Sequence, residues 1–302
     1  MEYFCENVLG INFTTLKKKN ILEKIEKYIK KDQISSRKLQ KKLIRPLIIF
    51  TPNPEIVMFA QKNPFFRKIV NSAQINIPDG AGIVWALKKI HNHKVKRISG
   101  VDLMVDLCEM AAKKRVIIGL IGGRDKVALK TAECLRVKIP GVKIIVFPAP
   151  EIKLVEELIN DNKKINIDKR ENKKILNTKY LIINPRGKQN KETEKYFGSL
   201  LKEIRSRKIQ ILFVAFGFPK QEYFIKIIKD IDDRQSKNIA KEPLILMSVG
   251  GAFDYISGRI PRAPQWMRDG GMEWLYRLML EPWRLLRQIK GSEFFLRVLL
   301  QH

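Results

Sequence analysis

Cysteine and histidine are nearly missing, three of each in 302 residues, and the shortage removes whole classes of chemistry. Cys5, Cys108 and Cys134 are odd in number and widely spaced. They form neither a disulfide framework nor a C-x-x-C pair and read as reduced thiols. His91 and His93 have no metal-ligating company, and Asp230 and Asp232 end a solvated amphipathic helix rather than a strand. No obligate metal and no cofactor are therefore expected. Apolar runs of the roughly 18 residues that a spanning helix needs are absent too. Glu2 and Glu6 stand where a secretory leader carries positive charge. The expectation is a cytoplasmic protein that meets a membrane only from its inner face.

Acidic residues are scarce as well, 31 against 59 lysines and arginines, for a net charge of +28. That balance favours anionic partners: nucleic acid, phosphate-bearing substrates or an acidic lipid surface. The densest basic runs, Lys17 to Lys42 and Lys163 to Lys174, are poor in aromatic side chains. They read as solvated surface, and no specific nucleic acid is expected.

What is present is an alternation. Nearly continuous apolar, β-branched runs recur at Leu47 to Phe50, Val116 to Ile121, Val142 to Phe147, Tyr180 to Ile183, Ile209 to Phe216 and Leu244 to Val249. Amphipathic stretches such as Asp102 to Lys114, Lys126 to Lys138, Thr193 to Arg205 and Lys220 to Lys229 separate them. The pattern predicts an α/β fold with a Rossmann-like, largely parallel sheet flanked by helices. The core is expected over residues 1–258, with a polar surface insertion at 152–179 that carries no clear strand. Residues 259–302 form an arginine- and tryptophan-rich helical appendage.

In such sheets ligands gather where strands end and helices begin. Thr51-Pro52-Asn53-Pro54-Glu55 follows one strand, and its hydroxyl and amide suit a substrate as well as a turn or cap. Pro78-Asp79-Gly80-Ala81-Gly82 follows another; Asp79 is either a general base or the N-cap of the helix after it. Glycines at Gly122, Gly250 and Gly251 let a backbone approach a phosphate, or simply make tight turns. The run Gly119 to Gly123 is neither G-x-G-x-x-G nor a Walker sequence. In the appendage Arg277, Arg284 and Arg287 are spaced by seven and three, on one side of a helix that Pro282 breaks near Glu281. With Trp266, Trp274 and Trp283 nearby, the segment reads as an interfacial helix at a bilayer headgroup region, against a plain helix packed on the core.

Seven stretches taken in order, Thr51 to Glu55, Pro78 to Gly82, Ser99 to Leu103, Phe216 to Glu222, Gly250 to Asp254, Arg262 to Pro264 and Glu273 to Leu278, closely resemble the WecG/TagA/CpsF glycosyltransferases, family 26. The resemblance runs from about Val8 to Arg287. It implies transfer of an N-acetylmannosamine-type sugar, with inversion and without a metal, from a UDP-sugar donor to an undecaprenyl-diphosphate-linked N-acetylglucosamine acceptor. That step belongs to teichoic-acid-type polymer assembly. By the same resemblance Asp79 is the general base, Thr51 and Asn53 line the adjoining pocket, Gln221 helps hold the donor, and Arg277, Arg284 and Arg287 stabilise the diphosphate. The anionic membrane surface is then where the appendage docks, and removal of residues from Gly271 onward is expected to leave a folded core. The stretches at Lys31 to Lys42 and Ile152 to Lys179 are extra length, and the loop Asn184 to Lys188 departs from the family sequence. Relatives use other UDP-hexoses, and a homo-oligomer is compatible with the chain. A basic nucleic-acid-binding protein has only the charge in its favour. A non-catalytic scaffold is hard to square with Asp79, Thr51 and the three arginines all being present.

Overall fold

A computed structural model describes residues 5–35, 45–155, 157, 180–235 and 242–301, with side chains at all of these except 31–35, 235 and 286–290. The chain opens with an antiparallel hairpin, β1 (Cys5–Val8) and β2 (Ile11–Thr14), and a helix, α1 (Lys18–Ser35). Part of the basic run from Lys17 is therefore amphipathic helix, with Ile21 and Ile25 fully buried. Residues 36–42 of that run lie outside the described residues, as do 163–174.

The central elements follow: β3 (Leu47–Phe50), α2 (Pro54–Lys62), α3 (Pro64–Asn71), β4 (Ile75–Asn76), α4 (Ala81–His91), α5 (Gly100–Lys114), β5 (Ile117–Gly122), α6 (Val127–Lys138) and β6 (Lys143–Val146). After β7 (Ile152–Leu154) and β8 (Leu181–Ile183) come α7 (Lys191–Ser206), β9 (Ile209–Ala215), α8 (Lys220–Gln235) and β10 (Ile245–Ser248). Six strands pair in parallel in the order β4-β3-β10-β9-β5-β6. Successive residues of a strand face opposite sides. Ile48, Phe50, Leu212, Val214 and Leu246 enter one buried cluster, while Leu47, Ile49, Ile211, Phe213, Ile245 and Met247 enter the other. Helices cover both faces, which is why the strands read as unbroken apolar runs.

Two expectations need correction. The run at Tyr180 to Ile183 does form a strand, but β8 pairs with β7 in a separate two-stranded sheet. The segment expected to lack a strand from Ile152 therefore opens with one, because Ile152 and Leu154 alternate inward around Lys153 and join the core. Residues 156 and 158–179 lie outside the described residues.

Beyond the sheet come α9 (Ala252–Ile256), α10 (Gln265–Asp269), α11 (Glu273–Leu280), a 3-10 turn (Pro282–Arg284) and α12 (Leu285–Leu299). Pro282 separates α11 from α12, as its missing N–H and ring require. α12 packs on α2 and α4. Its Phe294 and Val298 are fully buried and belong to the same core cluster as Phe50, Ile56, Val57 and Ile83.

Candidate functional site

All six parallel strands point their carboxyl ends the same way, so the loops after β3, β4, β5, β9 and β10 form one rim. The motifs of the sequence lie along it. Thr51 and Asn53 follow β3, Asp79 follows β4, Gly122 ends β5, Gln221 opens α8 after β9, and Gly250 and Gly251 follow β10.

Asp79 does not cap its own helix. Gly80 is the residue at that position, with φ 103°, and no side chain caps α4. The Asp79 carboxylate instead accepts from the backbone N–H of Gly100, 3.3 Å away, at the first turn of α5. Gly100 is where β3 and β4 loops meet: a Cβ there would lie 3.1 Å from Thr51 Cγ2 and 3.4 Å from Asp79 Oδ2. Burial pushes the Asp79 carboxyl up to about 6. Arg97 and the Gly100 N–H pull it down, and Glu273 and Asp102 push it up further. The helix end that would weaken a base is thus outweighed by desolvation.

Asn53 is the N-cap of α2, its Oδ1 accepting from Ile56 N at 3.0 Å. Among the described residues neither Thr51 Oγ1, Asn53 Nδ2 nor Asp79 Oδ1 makes a hydrogen bond. Three polar groups on adjoining loops are thereby left for a ligand.

Gln221 is buried at 3% exposure and spans two elements: its Oε1 accepts from Gly250 N at 3.1 Å and its Nε2 donates to Glu222 Oε1 at 2.9 Å. It fixes the β10 loop. Gly250 has φ 50° with open space where a side chain would lie. Gly122, with φ 107°, is pressed on the backbone of Ala215, 2.6 Å from where its Cβ would be, so strand packing alone demands glycine there.

The C-terminal helices close over this rim. A Cβ on Gly271 would lie 2.7 Å from Ala81 Cβ, at the start of α4. The Arg277 guanidinium lies on Gly251, over the Tyr255 ring at 4.9 Å, and its Nε donates to Glu281 Oε2 at 2.7 Å. Arg284 Nη1 shares that Glu281 oxygen at 2.9 Å. Burial opposes the Arg277 charge, but Tyr255, Glu281 and Asp254 outweigh it and raise its pKa. Glu281 is held below the usual carboxylate range, the two guanidinium groups overcoming its burial. Arg287 lies in α12, and its side chain falls outside the described residues.

One helix joins the two ends of the site. Glu273 and Arg277 are one turn apart on α11, about 6 Å along its axis. Glu273 pairs with Arg97 on the Asp79 side, and Arg277 covers Gly251. Asp102 and Glu273 fall inside the sequence motifs and Arg97 does not, and residue type alone assigns none of the three a role. Their proximity to Asp79 depends on contacts spanning up to 176 residues.

No group of three or more His, Cys, Asp and Glu side chains is arranged for a metal ion among the described residues. A groove of about 610 Å³ lies elsewhere, between the loop Asn184 to Gln189 and α8. It shares no residue with the rim motifs.

A family model described as "Glycosyl transferase WecG/TagA/CpsF family" matches residues 6–169 and 167–302. The chain is 26% identical over 252 residues to a Bacillus subtilis (strain 168) protein named N-acetylglucosaminyldiphosphoundecaprenol N-acetyl-beta-D-mannosaminyltransferase, covering 83% of this chain and 78% of that one. A Bacillus spizizenii protein of the same name matches at 26% over 251 residues, with the same coverage.

Proposed function

The chain belongs to the WecG/TagA/CpsF family of glycosyl transferases, and from that premise we propose that it moves an N-acetylmannosamine-type sugar from UDP to undecaprenyl-diphosphate-linked N-acetylglucosamine. The two similar Bacillus proteins carry that acceptor and that sugar in their names. The observation that carries the chemistry is Asp79: a half-buried carboxylate raised to about 6, beside Thr51, with one oxygen free of a hydrogen bond. Such a group is ionised at neutral pH yet basic enough to take a proton.

In the reaction Asp79 accepts the proton of the attacking acceptor hydroxyl as that oxygen bonds to the anomeric carbon. The bond from that carbon to the β-phosphate oxygen breaks, and its electron pair leaves with UDP. Attack opposite the leaving group inverts the anomeric centre. Thr51 and Asn53 orient the acceptor sugar. Gln221 acts through the Gly250 loop that it shapes, and that loop takes the nucleotide against its backbone with the Gly122 turn. Arg277, Arg284 and Arg287 offset the negative charge that builds on the departing diphosphate. For this the diphosphate replaces Glu281 as the partner of Arg277 and Arg284.

The acceptor is lipid-linked, so the site works at a membrane surface. Trp266, Trp283 and Met279 are at least 66% exposed on the C-terminal helices, beside a strongly basic protein. That combination suits insertion among anionic headgroups at the inner face of the cell membrane. The test is mass spectrometry of product formed from a short-chain lipid-diphosphate-GlcNAc acceptor with a panel of UDP-sugars, with and without EDTA. Addition of one N-acetylhexosamine from UDP-N-acetylmannosamine supports the assignment. Product from a different UDP-hexose alone would replace the donor, and no product from any donor would remove the reading.

A further inference from the structure

Behind Asp79 lies a cluster of charges to which the transfer reaction assigns nothing. Arg97 precedes α5, Asp102 lies in its first turn, Arg262 precedes α10, and Glu273 opens α11. Glu273 takes both guanidinium groups: one carboxylate oxygen pairs with Arg97 Nη2 and the other accepts from Arg262 Nε at 3.1 Å. Arg262 also donates to Asp102 Oδ1 at 2.5 Å and to Ser99 Oγ at 3.2 Å. Arg97 Nη1 donates to the Arg268 carbonyl at 3.1 Å. Glu273, Arg97 and Arg262 are only 13%, 19% and 22% exposed at their side chains, so the two Glu273 pairs are enclosed, whereas Asp102 is 43% exposed.

Two consequences follow from this arrangement. The first is mechanical. Arg262 fastens the C-terminal segment to Ser99 and Asp102, the same turn whose Gly100 N–H holds Asp79, and Glu273 holds Arg262 while fastening the segment to Arg97 just before that turn. The second is electrostatic. The groups facing Asp79 are Arg97 from the loop before α5, Asp102 and the Gly100 N–H from α5, and Glu273 from α11. Three carboxylates share the two guanidinium groups. Were Arg97 released from Glu273, Asp79 would be left as a partner for its charge, and a carboxylate paired with a guanidinium is a poor base. Removing one member of an enclosed pair leaves the other charge uncompensated, so the redistribution is not small.

We propose that Glu273 is a positioning residue of the transfer site: it holds Arg262, which docks the C-terminal segment on the first turn of α5, and by engaging Arg97 it leaves Asp79 free to accept a proton. This rests on the reading of Asp79 as the base. It links closure of the C-terminal helices to basicity, because the base is tuned only when α11 is seated.

The test is a carbon-13 carboxyl NMR titration of the full chain without substrates, with the Asp79 signal identified by its loss in Asp79→Asn. The acid limb of the pH–rate profile runs alongside. Glu273→Gln is expected to lower the Asp79 midpoint by about one pH unit, and Arg97→Gln to raise it by about as much. Glu273→Asp, which keeps the charge, is expected to stay close to wild type and to retain most activity. A cluster that merely staples the fold would lower activity in all three without moving the midpoint. An unmoved midpoint in both Glu273→Gln and Arg97→Gln overturns the proposal. If Glu273→Gln does not fold, Arg97→Gln against Glu273→Asp decides by the same criterion. Sugar transfer that persists in Asp79→Asn would instead remove the base assignment, while the titration still reports whether Glu273 and Arg97 set the charge at Asp79.

Discussion

An alanine at position 251 would put its Cβ 2.3 Å from Arg277 Nη1, and the backbone there, at φ −83°, accepts any residue. What yields is the far end of a flexible arginine. Gly251→Ala is therefore predicted to leave the unfolding midpoint within a few degrees while raising the donor KM by about tenfold or more, the worth of one charge-assisted hydrogen bond. Thermal unfolding beside donor kinetics checks it. Glu222 offers the opposite separation, stability without ligand contact. It is 1% exposed, one carboxylate oxygen has no partner, and burial pushes its pKa up to about 7. Between the unfolded value near 4.3 and about 7 the folded state holds the extra proton, so stability is highest at the acid end and declines as pH rises through 7. Glu222→Gln is predicted to stabilise by on the order of 2 kcal/mol at pH 8 and by little at pH 5, read by urea unfolding at both. At this scale the sequence told residue types and not partners. Asp79 was legible as a base or a cap, but its partner lies 21 residues on, at Gly100. The pairing of Arg97 with Glu273 spans 176 residues and leaves no local pattern.

Among the elements, α12 binds the C-terminal segment to the sheet domain. Phe294 and Val298 are fully buried, and Gly82 of α4 lets Phe295 and Pro54 come within 3.2 Å and 2.8 Å of where its Cβ would be. Removal of residues from Gly271 onward therefore strips two core side chains from α2 and α4, which makes truncation a poor test of the segment's function. Phe294→Ala is predicted to cost about 3 to 5 kcal/mol in a denaturant titration, the range for emptying a buried phenylalanine site. The strands of the main sheet were readable because both faces are covered and the runs are continuously apolar. β7 was not, since a three-residue alternation is too short to stand out as a period. α1 was obscured for a related reason: lysines surround isoleucines spaced by four, so composition spoke louder than pattern.

For the whole molecule, charge and exposed aromatics act together. No helix among the described residues is long and apolar enough to cross a membrane. For the lipid-linked acceptor proposed above, the exposed Trp266, Trp283 and Met279 offer a surface that can enter a headgroup layer. The double change Trp266→Ser, Trp283→Ser is predicted to weaken sedimentation with anionic vesicles and turnover of vesicle-borne acceptor several-fold. Turnover of a soluble short-chain acceptor should be left near wild type, and wild-type vesicle binding should weaken as salt rises. Equal loss on both acceptors would assign the tryptophans to the fold instead.

All of this turns on whether the rim around Asp79 performs the transfer. The most direct measurement is acceptor-dependent UDP release at pH 7.5 by wild type and Asp79→Asn, with donor affinity measured in both. If Asp79 is the base, turnover falls by about 10² to 10⁴-fold with donor binding retained, the contribution of a positioned general base. Turnover within a few-fold of wild type would contradict that assignment and move the proton acceptor elsewhere.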